Sequence, residues 1–214
     1  MLYNKDHFAS PPDSWELFWD PEMRGHIQWP TIDWAGGFFL PIIAAILGGG
    51  DQYNMDPAWP KLKELVDNKA ILCTSQNLTQ MAEFFKSGDL WIGTEDIATM
   101  KPYIDAGYPI GITRPKEGVF LLTSGAVRIK GHKAPDKLCD LMINECLGPD
   151  NQLGLAESIW YGPTNSKVNL PKELKGIVPA STPEDIAKGI PMDFPYISTQ
   201  RPGWVERLSK MGFA

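Results

Sequence analysis

Apolar residues in this chain recur in short bursts punctuated by glycine and proline. Trp15, Leu17 and Phe18 follow Ser14, a good helix cap, and Asp20-Pro21 stops the pattern, so a short helix is predicted. Gly25 leads into a short strand at 26–29, closed by Pro30. A buried helix is predicted at 35–47, ended by Gly48-Gly49-Gly50. Asp56-Pro57 opens another, with Leu62, Leu65 and Val66 as its apolar stripe. A strand at 70–74 precedes a helix capped by Ser75 or Asn77, which carries Leu78, Met81, Phe84 and Phe85 and stops at Gly88. A strand at 90–92, a helix marked by Ile97, Met100, Tyr103 and Ile104, and a strand at 110–113 complete the run. Strand and helix alternate from 70 to 113, which predicts an α/β architecture, a sheet of about five strands flanked by helices.

Beyond this region a long strand is predicted at 119–129. Helices follow at 135–147, with Leu138, Leu141, Met142 and Cys146 on one side, and from Pro149 through Leu153, Leu155 and Ile159 to Trp160. Thr182 caps a helix running to Lys188, and a last helix is predicted at 203–211. Cys139 and Cys146 are seven residues apart on one helix, about 10.5 Å of rise, too far for a disulfide. With Cys73 they read as three free, mostly buried thiols, and no metal spacing is present.

Composition narrows the function classes. The net charge of −6 disfavours nucleic acid as a partner, because phosphate backbones demand basic faces. No run of about 18 apolar residues exists to cross a bilayer. The first residues carry no leader pattern, which by itself reads as cytoplasmic or as a leader lying outside this chain. No nucleophile elbow, phosphate loop or His-rich cluster occurs, and no cofactor is expected. His7, His26 and His132 are scattered and read as surface or strand-end residues.

Candidate chemistry gathers where predicted strands end. Trp29, Thr31, Asp33 and Trp34 follow the first strand, Thr94, Glu95 and Asp96 follow the strand at 90–92, and Ser124 sits on the strand after Glu117-Gly118. The loop around Tyr161 is a fourth candidate. Acids beside indoles suit a cation through charge pairing and ring contact. Helix N-termini suit an anion, so both ligand charges stay open. Asp33, Thr94 and Asp96 are equally good helix caps, Glu117 could brace its turn, and Trp29 and Trp34 could be core.

Several segments, in order, resemble the extracytoplasmic solute-binding proteins of ABC importers, in the spermidine/putrescine-binding branch. These are Tyr3-Asn4-Lys5-Asp6; the run Pro12-Asp13-Ser14-Trp15-Glu16-Leu17-Phe18-Trp19-Asp20-Pro21; Gly88-Asp89-Leu90; Pro115-Lys116-Glu117-Gly118; Ala134-Pro135-Asp136; and Tyr161-Gly162-Pro163-Thr164-Asn165. The resemblance implies a type II periplasmic-binding fold with two lobes closing on a small polar solute, no bond chemistry, and an ABC permease as partner. It implies that residues 1–118 form the second lobe with the first crossing strand. Residues 119–214 would hold the return strand and the C-terminal helices that pack on the first lobe, whose N-terminal part is lacking. It further implies a periplasmic or extracytoplasmic location. A lone lobe is expected to self-associate as a homo-oligomer. Polyamine-binding members carry an aromatic residue and an Asp where this chain has Leu122 and Ser124, so another small polar solute is an equal expectation. The rival class is an α/β enzyme using Glu95, Asp96 or Glu117 as general base.

Overall fold

The computed structural model describes residues 1–31, 37–74, 77–179 and 181–213. The chain divides into two compact units, one made of residues 1–120 with the chain from Ile190 onward, the other of residues 121–189.

The first unit is built on a five-stranded sheet of β1 (Leu2–Asn4), β2 (Ile27–Gln28), β3 (Ile71–Cys73), β4 (Ile92–Gly93) and β5 (Ile110–Ile112), in the order β3-β2-β4-β1-β5. β2 runs parallel to β3 and β4, while β1 is antiparallel to both β4 and β5. Strands β2 to β5 therefore all deliver their carboxyl ends to one edge. Successive side chains alternate between the sheet's faces. Tyr3, Ile27 and Trp29 join a core with α1 (Phe39–Leu47) and α2 (Ala58–Asp67), whereas Leu2, Leu90 and Ile110 join Met81 and Phe85 of α3 (Leu78–Ser87) and Met100 of α4 (Ile97–Asp105). Tyr3 lies opposite Gly111, and a Cβ there would sit 2.2 Å from the tyrosine Cζ, so the ring covers a position only glycine fits.

Local signals position these elements. Ser14 caps a 3-10 turn at Trp15–Trp19 by accepting the Glu16 N–H. Asn77, one of the two residues expected to cap α3, accepts the Gln80 N–H, and Gly88 closes the helix in the left-handed region. Glu117 braces its turn: its carboxylate accepts from Ser14 Oγ at 2.5 Å and from the Trp15 N–H at 3.1 Å. α1 is shorter than the predicted helix and begins at Phe39; Ala35 lies outside the described residues.

Two expectations need correction. The strand predicted at 119–129 is realised only as β6 (Val119–Phe120), which pairs with β7 (Gly189–Ile190) in a second, two-stranded sheet. Residues 121–129 take up no ladder, because β propensity without a neighbouring strand leaves the peptide groups to water. The last helix, α8 (Phe194–Met211), begins nine residues before the predicted start. Asp193 caps it by accepting the Tyr196 N–H, and it runs through Pro202 because Ile197, Trp204 and Leu208 form one buried face. That face places α8 in the core of the first unit.

In the second unit, α5 (Asp136–Cys146) has no buried residue, while α6 (Pro149–Ile159) buries Gln152 and Ala156. A five-residue α7 (Pro183–Ala187) is capped by Thr182. All three cysteines are free, as expected, but each is half-buried rather than buried.

Candidate functional site

The shared carboxyl edge of β2, β3 and β4 brings Thr31, Thr74 and the loop Thr94-Glu95-Asp96 to the same side of the sheet. Asp96 caps α4, its Oδ1 accepting the Ala98 N–H at 3.0 Å and its carbonyl accepting Thr99 Oγ1 at 2.7 Å. The helix thus fixes the loop, and the Asp96 carboxylate is already engaged. Glu95 folds back so that its Oε1 accepts the Asp96 N–H at 2.9 Å. It is half-buried, and no basic side chain pairs with it among the described residues. Burial pushes its pKa up from the ordinary value; the hydrogen bond from Asp96 opposes this, and the Asp96 charge adds to it. Glu95 is therefore a carboxylate whose charge is costly and, among the described residues, met by one backbone N–H and no basic side chain.

The remaining sequence candidates fall differently. Trp29 is a core residue, 2% exposed, edge-on to Phe18 and near Trp15, with its indole N–H donated to the Gly37 carbonyl at 3.2 Å. Its place on the α1 side of the sheet denies it a solvent-facing ring, which corrects the expectation that it stacks on a ligand. Asp33 and Trp34 lie outside the described residues. Thr31 and Thr94 are half-buried at the edge. Ser124 belongs to the second unit and is exposed there, in the stretch without a ladder. Around Tyr161 the polar groups are spent on structure. Gln152 Oε1 accepts the Thr164 and Asn165 N–H groups, at 2.9 and 2.8 Å, and Asn165 Nδ2 donates to the Leu147 carbonyl.

One residue at the edge escaped sequence reasoning. Gln28 is wholly buried, and its Oε1 accepts the Thr94 N–H at 3.0 Å. Its Nε2 has no hydrogen-bond partner. The available signal was a glutamine between Ile27 and Trp29, a polar residue inside a strand otherwise fit for a core. His26 is a strand-end residue, as expected, and stacks on Trp91 at 3.6 Å on the opposite edge.

Residues 1–182 match the family model described as bacterial extracellular solute-binding protein. Solved structures agree in fold. An ABC transporter protein from Clostridium perfringens is 19% identical, with a TM-score of 0.76 over 98% of this chain and 65% of its own. An ABC transporter substrate-binding protein from Bradyrhizobium japonicum is also 19% identical, with a TM-score of 0.72 over 98% of this chain and 66% of its own. The spermidine/putrescine ABC transporter substrate-binding protein PotD from Streptococcus pneumoniae is 16% identical, with a TM-score of 0.69 over 98% and 65%. The fold is thus the type II periplasmic-binding architecture, and the chain spans just under two thirds of the length of these relatives. A comparison with curated proteins finds no match.

Proposed function

The chain belongs to the family of bacterial extracellular solute-binding proteins, and on that premise we propose that it serves as the solute-binding component of an ABC importer outside the cytoplasmic membrane. Its task is capture and release, with an ABC permease as the receiving partner and no bond made or broken. The observation that carries this reading is Glu95, a half-buried carboxylate without a basic partner among the described residues, at the edge where the strands of an α/β sheet end. A protein keeps such a group at a cost to its own stability when an incoming ligand compensates it. The solute is accordingly small and polar with a cationic group. The likeness to a spermidine/putrescine-binding protein supports that charge.

Contacts are assigned to Thr31, Thr94 and Glu95 at the edge of the first unit's sheet, with Asp33 and Trp34 kept from the sequence reading. Asp96 contributes by holding α4 and the loop in place. A further segment, equivalent to the remaining third of the solved relatives, completes the two-lobed protein and packs on residues 121–189. Val127 and Ile129, 82% and 73% exposed, with Leu138, Leu141 and Met142 on α5, form the surface it covers. Without that segment the same surface drives self-association.

The test is calorimetric titration of the protein with diamines, amino acids and small dicarboxylates, with substrate and product analysis alongside. Saturable binding of a cationic solute without turnover is expected, weakened at least tenfold by Glu95→Gln, since a hydrogen bond to a charged group is worth about 1.5–3 kcal/mol. Turnover of the bound solute, or equal affinity in the variant, overturns the assignment.

A further inference from the structure

The Gln28 side chain lies across the backbone of β4. A Cβ on Gly93 would come within 2.8 Å of Gln28 Oε1 and 3.0 Å of Met81 Cε, so glycine at 93 is what lets the amide pass over the strand and reach Thr94. The Thr94 N–H then clamps one end of that amide. That bond holds the amide against Thr94, the first residue of the loop that carries Glu95 and opens α4. That nitrogen is fully buried and donates to nothing.

A buried donor left unmade costs more than the same volume filled by Leu or Met. Every other wholly buried side chain of the sheet is either apolar or, like Asn4, hydrogen-bonded through its amide, which donates to the Phe85 and Leu90 carbonyls. Gln28 alone combines a rigid mount with an unspent donor, and it does so one residue from the Glu95 loop. The arrangement has the form of a preorganised recognition group, whose ordering cost is met by folding rather than by binding.

We propose that Gln28 Nε2 donates to an acceptor oxygen of the bound solute, so that the solute carries a carbonyl or carboxylate oxygen together with its cationic nitrogen. This rests on the solute-binding reading given above and sharpens it. A simple diamine offers donors at both ends and cannot satisfy a second donor in the wall. An amino-acid-like molecule satisfies both, with its nitrogen at Glu95 and its oxygen at Gln28. The acceptor meets the amide beside Thr94, two residues before the Asp96 cap of α4, where the partial positive charge of the helix favours an oxygen.

Two probes of matched length separate the alternatives: 5-aminopentanoate, with one ammonium and one carboxylate, and 1,5-diaminopentane, with two ammonium groups. Each is titrated into uniformly 15N-labelled protein at millimolar concentration, and the side-chain NH2 resonances of Gln28 are followed. The amino acid is expected to bind at least tenfold more tightly than the diamine and to move the Gln28 NH2 pair, which is identified by its loss in Gln28→Met. That variant removes the donor at similar volume without adding a titratable group, and it should abolish the preference while leaving a native amide spectrum. If the Gln28 resonances stay still on saturation, or if the diamine binds as tightly, the Gln28 assignment is overturned and the solute-binding reading stands. If neither probe binds, the Gln28 assignment is overturned, and the solute-binding reading is decided by the wider calorimetric titration.

Discussion

Replacing Gly111 by alanine tests the sheet register on which the site depends. The new Cβ would lie 2.2 Å from Tyr3 Cζ, 2.3 Å from Cε1 and 2.7 Å from the hydroxyl. All three contacts are closer than van der Waals separation allows. The tyrosine ring is buried and packs edge-on to Phe8 at 6.2 Å, so it has little room to swing aside. Overpacking of this kind costs about 1–3 kcal/mol, and the upper end applies because a whole aromatic ring must move. Removing the ring should reverse the sign. In a Tyr3→Ala background the site is open, and exchanging glycine for alanine in a strand then gains about 0.5–1 kcal/mol. The coupling between the two substitutions is therefore about 3.5–4 kcal/mol in a double-mutant cycle. Urea denaturation of the four proteins, followed by far-UV circular dichroism, measures it. If Gly111→Ala costs the same with and without the tyrosine ring, β1 and β5 are not paired Tyr3 to Gly111, and the placement of β1 in the middle of the sheet fails.

Other outcomes follow from the same structure. Glu95 holds its proton more tightly folded than unfolded, so its contribution to stability is full below its ordinary value near 4.5 and is lost as pH rises through the raised folded value. Glu95→Gln should therefore raise the urea midpoint at pH 7 and leave it unchanged at pH 3.5, and equal effects at both would refute the assignment. Gln152→Leu strips two backbone N–H groups of their acceptor and should cost about 2–3 kcal/mol, with faster amide exchange at Thr164 and Asn165. Unchanged exchange there would contradict the geometry. The surface of residues 121–142 should make apparent mass rise with concentration in sedimentation, and Val127→Lys with Leu141→Lys should restore the monomer; a monomer in the unaltered chain at high micromolar concentration refutes it. Thiol titration in denaturant should count three groups, and a count of one would mean a disulfide.

The α/β alternation was legible because every turn between 70 and 113 carries its own signal. Asn77 and Asp96 cap, Gly88 and Gly107 close in the left-handed region, and the apolar stripes between them have helical spacing. What failed depended on partners that no local pattern reveals. Residues 121–129 have the composition of a strand, but a strand needs a neighbour, and none among the described residues pairs with them. The last helix is expected only from Gly203, yet the buried spacing of Ile197, Trp204 and Leu208 carries α8 back through Pro202 to Phe194. Within the site, the sequence found the Glu95 loop because acids after a strand stand out. It assigned Trp29 to the ligand because indoles serve cores and binding surfaces alike, and only the face of the sheet distinguishes them. Gln28 was passed over because one glutamine in a strand carries no visible chemistry until its neighbours are in place.

The order of the sheet also dictates when it can form. Within this chain β1 precedes every other strand, yet its partners are residues 92–93 and 110–112, roughly ninety to a hundred and ten positions later. Until residues 92–93 emerge, Leu2 and Tyr3 have no ladder, and until Ile112 follows one edge of β1 stays unpaired, so a nascent chain holds exposed apolar groups for as long as synthesis of that stretch lasts. At about 5–20 residues per second this is a wait of several seconds. Slowed translation between residues 4 and 110 should therefore lower the yield of folded protein more than the same delay placed after residue 120.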